Sequence, residues 1–210
     1  MRRCLRDDRS GGVGMNSLPR RPNRWAVHIG AHKTATTHFQ KLLELLKQQA
    51  EAEDIRIFAT PEIRQYVRRA NGRQGPWRRT VDHRWIRHKA VPKLQNMAQG
   101  LRTAVYSDED TLGYTQDLFE NRFYPNLSGL ALPRWLAAGS DLEIFVSLRS
   151  YDWLFESAYY ELLKSFPNTQ EIFDQGLRNL ESKNYGWVDL FSRIQEELPN
   201  AAIRFWCQEN

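Results

Sequence analysis

Between Trp25 and Gln40 the chain reads Trp-Ala-Val-His-Ile-Gly-Ala-His-Lys-Thr-Ala-Thr-Thr-His-Phe-Gln, and most of its polar groups are hydrogen-bond donors. Gly30 lets the backbone turn off the apolar run before it. Lys33 supplies a point charge, and Thr34, Thr36 and Thr37 supply hydroxyls on short arms. Phe39, Leu42, Leu43 and Leu46 then recur at i, i+3, i+4 and i+7, which predicts an amphipathic helix. The first N–H groups of a helix have no partner inside it, and the macrodipole puts partial positive charge there. A strand-to-helix turn of this composition therefore suits anionic oxygens, as on a phosphate or sulfate. The alternative is a polar helix start capped by Thr34, with no ligand.

A second group of residues lies far downstream. The apolar run Leu142–Leu148 ends at Arg149, whose planar fork binds phosphate oxygens in pairs. A helix expected over Tyr151–Ser165 carries Leu154, Phe155, Ala158, Tyr159, Leu162 and Leu163 as one apolar stripe. Ser157 falls on the opposite face with Trp153 and Lys164, so it faces solvent or ligand. Three histidines (His28, His32 and His38) crowd the first loop. Zinc would want a further carboxylate or thiolate at suitable spacing, and none is present, so structural or ligand-adjacent roles are expected.

The nucleoside-triphosphatase loop G-x-x-x-x-G-K-[ST] is absent, because Gly30 lies three residues before Lys33 and no glycine directly precedes the lysine. The shorter pattern Gly-x-x-Lys-Thr-x-Thr-Thr, with an arginine at a strand end and a serine eight residues on, resembles the sulfotransferases that use 3′-phosphoadenosine 5′-phosphosulfate. The resemblance implies that Gly30, Lys33, Thr34, Ala35, Thr36 and Thr37 hold the phosphosulfate end of that cosubstrate, and that Arg149 and Ser157 hold its 3′-phosphate. Ala35 stands where many members carry glycine, which costs strain if the backbone there is left-handed and nothing if it is helical. The implied reaction moves a sulfuryl group to an acceptor hydroxyl, on a saccharide or another compound that carries negative charge, and needs no metal. Lys33 would neutralise charge on the leaving phosphate.

The family uses either a glutamate or a histidine to take the acceptor's proton. Glu109, in Tyr-Ser-Asp-Glu-Asp-Thr after an expected strand, is the first candidate, and Asp108 and Asp110 would raise its pKa by like-charge repulsion. Against this stands a capped helix start in which Glu109 only complements the dipole. His83 and His88 are the reserve. Two rival readings stay open. A P-loop kinase or nucleotidase would use Asp108 or Asp110 for magnesium, and a truncated nucleotide-binding protein would bind without catalysis.

These residues need a scaffold. Runs rich in Val, Ile and Phe alternate with helical patterns, which predicts an α/β fold: a three-layer α/β/α sandwich, P-loop-like, around a parallel central sheet. Strands are expected at Trp25–Ile29, Ile55–Ala59, Thr103–Ser107, Leu142–Leu148 and Ala201–Trp206. Further helices are expected near Ile63–Ala70, Arg84–Gln99, Leu132–Ala138, Gln170–Leu180 and Trp187–Leu198, with a loop over Asn71–Trp77. The site would lie at the C-terminal strand ends. Four residues follow the last strand with no covering helix, which reads as a fragment or a member shortened at its C-terminus.

Composition bounds the rest. The chain has 210 residues, 41% hydrophobic and 26% charged, enough for one domain with a core. Residues 1–24 hold seven arginines against Asp7 and Asp8, and so carry the whole net charge of +5. They read as a disordered basic arm ahead of a domain over 25–210. A neutral body suits a small anionic ligand better than nucleic acid. Within it, residues 61–93 carry ten Lys or Arg against two acids, and 108–120 five acids and no base. The basic stretch reads as a solvated face, or as an acceptor-site wall. Neither a membrane span nor a signal peptide is legible, and Cys4 and Cys207 read as reduced thiols in a cytoplasmic protein.

Overall fold

The computed structural model describes residues 21–74, 77–78, 83–120, 122–183 and 185–208. In chain order it comprises β1 (Arg24–His28), α1 (Thr36–Leu45), α2 (Lys47–Ala52), β2 (Ile55–Phe58), α3 (Thr60–Ala70), β3 (Arg73–Gln74) and β4 (Trp77–Arg78). Next come α4 (His83–Trp85), a π-helical turn over Ile86–Ala90, α5 (Val91–Met97) and β5 (Thr103–Ser107). Short 3₁₀ turns lead from β5 to α6 (Ala131–Leu136), followed by β6 (Asp141–Leu148), α7 (Tyr151–Leu162), α8 (Thr169–Lys183), α9 (Trp187–Glu197) and β7 (Ala202–Cys207).

Five strands pair in the order β2-β5-β1-β6-β7, all parallel. The sheet is flanked by helices, the arrangement of a three-layer α/β/α sandwich. Each of its strands falls where a β-rich run was expected, with ends displaced by at most a residue or two. Interior strands of such a sheet are covered on both faces: Trp25, Val27, Ala104, Tyr106, Ile144 and Val146 are buried on one face, and Ala26, His28 and Ser147 on the other. Arg24 belongs to β1 rather than to an arm, and pairs with Glu143 at 3.2 Å. The rest of the expected arm lies mainly outside the described residues. The loop expected over 71–77 contains the two antiparallel strands β3 and β4, with residues 75–76 outside the description. Among the described residues no helix is long and apolar enough to cross a membrane.

Helix α1 corrects one expectation. Its periodic apolar residues do not enter the core: Leu42 is 45% exposed and Leu46 40%, Phe39 and Leu43 are half-buried, and Thr36 is the only buried residue of the helix. Periodicity identifies an apolar face but not what covers it.

Growth of the sheet reverses at β1. The chain leaves β1 toward β2 and β5 on one side, then crosses to β6 and β7 on the other. The crevice above the C-terminal ends of β1 and β6 is where a fold of this type collects ligands.

Candidate functional site

The turn after β1 is built from close contacts. Ile29 still pairs with the sheet, its N–H donating to Phe145 O at 2.9 Å. At Gly30 a Cβ would collide with Ser147 Oγ and the His28 ring, so glycine is required by close approach and not, as expected, by the turn. His28 lies beneath, between Ser107 Oγ (2.7 Å) and Ser147 Oγ (3.1 Å). Burial lowers its pKa to about 4, with the charge of Glu109 opposing, so it is neutral at neutral pH.

Lys33 and Ala35 both adopt left-handed backbone, at φ 68° and 55°. Ala35, the N-cap of α1, is thus the strained position rather than the helical one. Turns of this kind gather N–H groups into anion-binding concavities. Thr34 does not cap the helix: its hydroxyl points inward, donating to Ala31 O at 2.6 Å and touching Ser147 Oγ. Among the described residues no side chain caps α1. Its first N–H groups are left for a ligand or water.

Arg149 directly follows β6, its carbonyl accepting from Trp187 Nε1 at 3.2 Å. Its Nη1 donates to Lys33 O at 2.9 Å, which joins two motifs 116 residues apart. The guanidinium also lies over Trp153, 5.8 Å from the ring centroid. On α7, half-buried Ser157 faces the same crevice as the β1 loop. One turn further along, Glu161 Oε2 accepts from Lys33 Nζ at 2.9 Å, and Oε1 accepts from Thr115 Oγ1 at 3.3 Å. Partial burial raises the Glu161 carboxyl, but Lys33 and Thr115 outweigh it and leave the group below its ordinary pKa.

The turn after β5 lies alongside. Arg64, from α3, forks onto Asp108 with two contacts of 3.1 Å and reaches Glu109 Oε1 at 3.0 Å. Burial pushes the Asp108 carboxyl up to about 6, against the Arg64 fork. Gln40 of α1 donates to the other oxygen of Glu109. Asp110 takes Arg68 at 3.0 Å and lies 3.5 Å from His32 Nε2; despite burial, these cationic and hydrogen-bond partners hold it below the usual carboxylate range. Asp108, Glu109 and Asp110 thus share one cation supplied by another element. Asp108, Glu109 and Asp110 place one oxygen each within 4.8 Å of one another, but Arg64 already occupies their common side.

A cavity of about 390 Å³ opens between these turns. Lys33, Ala35, Thr36, Thr37, Glu109, Arg149 and Ser157 line it, together with His32, Glu161 and Gln208. Gly30 and Thr34 support it from below without lining it. His83 and His88 are exposed elsewhere, on α4 and the π-helical turn, and do not line it. Glu161 and Gln208 were not anticipated as site residues, and His32 was expected only in a structural or ligand-adjacent role. For Glu161 a signal exists, since it follows Ser157 by four residues and shares its helix face. For His32 the partners Asp110 and Tyr124 are distant in sequence and leave no local trace. No protein-family model matches the chain, and no curated protein matches it significantly.

Proposed function

We propose that this chain is a sulfotransferase that uses 3′-phosphoadenosine 5′-phosphosulfate to sulfate an acceptor hydroxyl. The observation that carries the reading is the meeting of Lys33, Thr36 and Thr37 with Arg149 and Ser157 in one cavity, through the Arg149–Lys33 contact. The groups offered there match the two charged ends of such a nucleotide. Uncapped amides, a lysine and hydroxyls face one end; a guanidinium and a hydroxyl face the other. The cosubstrate, when bound, supplies the transferable sulfuryl group and the bisphosphate leaving group. Lys33 would neutralise charge on the leaving phosphate, so positioning and electrostatics would dominate. Glu109, its carboxylate held by Arg64 and Gln40, would take the proton released by the acceptor. Each of its oxygens keeps a second lone pair for that purpose.

The kinase reading is the weaker one here, because Asp108 and Asp110 are committed to Arg64, Arg68 and His32 rather than open to magnesium. Isothermal titration of Arg149→Ala tests the assignment of the two ends. Affinity for adenosine 3′,5′-bisphosphate should fall about tenfold or more, the scale of a charged hydrogen bond. Affinity for adenosine 5′-monophosphate, which has no 3′-phosphate, should change far less. Equal losses for the two nucleotides would remove Arg149 from the 3′-phosphate.

A further inference from the structure

Lys33 is engaged before any ligand arrives. Its ammonium lies 2.9 Å from Glu161 Oε2, on α7, and the pair is half-open to solvent, with side-chain exposures of 28% and 47%. The contact spans 128 residues, so it reflects the tertiary placement of α7 against the β1 loop and not local sequence. Three features bring the two groups together. Left-handed backbone at Lys33 sets the direction in which its side chain leaves the loop. Arg149 Nη1, holding Lys33 O at 2.9 Å, fixes that backbone from the turn between β6 and α7. Thr115 Oγ1, 3.3 Å from Glu161 Oε1, steadies the carboxylate from the far side.

Glu161 lines the same cavity as Ser157 and Arg149, yet a carboxylate is the wrong charge for an anion site. We infer that Glu161 sets the affinity of this site for one end of its ligand: it holds the Lys33 ammonium in the ligand-free protein, and a ligand that brings a 5′-phosphate or phosphosulfate must displace it. Each such ligand exchanges one anionic partner of Lys33 for another, and its affinity is reduced by the free energy of the pair it breaks. The inference rests on the proposed sulfotransferase reading for the identity of the ligand. It assigns Glu161 no proton transfer. It makes the first anionic partner of Lys33 a component of the binding equilibrium and leaves the Arg149–Ser157 end untouched.

The consequence is specific to one end of the nucleotide. Removing the Glu161 charge releases Lys33, so a ligand with a 5′-phosphate should bind more tightly. Adenosine 3′-monophosphate never meets Lys33 and should not change. Glu161→Gln keeps the shape and the Thr115 contact while removing the charge. Isothermal titration should show adenosine 3′,5′-bisphosphate and adenosine 5′-monophosphate binding about two- to fivefold more tightly to it, the range of a partly exposed ion pair. The 3′-monophosphate should stay within experimental error. In a Lys33→Ala background the same substitution should have no effect on any of the three. Thermal stability of the free Glu161→Gln protein should not rise while 5′-phosphate affinity does, a divergence that a purely structural role for Glu161 does not produce. Unchanged or weaker 5′-phosphate binding by Glu161→Gln overturns the inference, as does tightening that persists without Lys33. Failure of the wild type to bind the bisphosphate overturns the sulfotransferase reading together with this one, and is distinguished because it appears before any variant is made.

Discussion

Two turns leave neighbouring parallel strands at the same end of the sheet, and they treat their polar groups in opposite ways. The turn after β5 is charged and self-satisfied: Asp108, Glu109 and Asp110 meet Arg64, Arg68, His32 and Gln40. The turn after β1 is the reverse, with two residues in left-handed backbone and a helix that no side chain among the described residues caps. On the proposed reading, strain and open donors in one turn, beside paired charges in the next, mark the first as the ligand site. The second is the wall against which that site is held.

The comparison breaks most visibly at Arg64. Its fork reaches all three acids, and Asp108 is fully buried. Arg64→Met keeps the aliphatic stem but leaves the buried Asp108 carboxylate without its cation. It should cost about 3–5 kcal/mol of unfolding free energy, read by urea denaturation near neutral pH. A loss under 1 kcal/mol would mean that the β5 turn is not held by this residue.

His28, between the two turns, gives the next largest effect. Its folded pKa of about 4 is below the ordinary 6.5, so the unfolded chain binds the extra proton first. Stability from this group is present above pH 6.5 and is lost as pH falls toward 4, by about 3 kcal/mol over the window. Asp108, raised to about 6, acts in the opposite sense below that pH. The wild type alone therefore shows only the sum. Denaturant melts of His28→Gln across pH 4–7 should lack the histidine contribution, and a slope identical to wild type would contradict the burial of a neutral imidazole.

The smallest effect sharpens the strained side. Ala35→Gly relieves left-handed backbone at φ 55° and should stabilise by about 0.5–1 kcal/mol, raising the melting temperature by about 1–4 °C. A lower melting temperature would show that the turn is not strained at this residue.

These residues also show where the sequence could be read and where it could not. Strand runs such as Leu142–Leu148 are legible because a strand buried on both faces is a nearly continuous apolar segment. That the β1 turn and Arg149 come together at one end of the sheet was legible because each follows a strand that the sequence marks clearly. Arg64 and Glu161 were not, since their partners lie 44 and 128 residues away and any exposed helix carries such side chains. The leucines of α1 misled for a different reason: a helical repeat is recorded in the sequence, but the neighbour that would cover it is not. The left-handed conformation of Ala35 was hidden for the simplest reason, as alanine there is the residue that fits least well.

The most direct test of the central claim is a thermal-shift comparison of two nucleotides on the wild-type protein. Adenosine 3′,5′-bisphosphate, at about a hundred times its Kd, should add about 2.7 kcal/mol to stability and raise the melting temperature by about 5–10 °C. ATP with magnesium, which has no 3′-phosphate for Arg149 and Ser157, should raise it clearly less. A shift from ATP–Mg²⁺ that equals or exceeds that from the bisphosphate would contradict the account, and so would no shift from the bisphosphate at all.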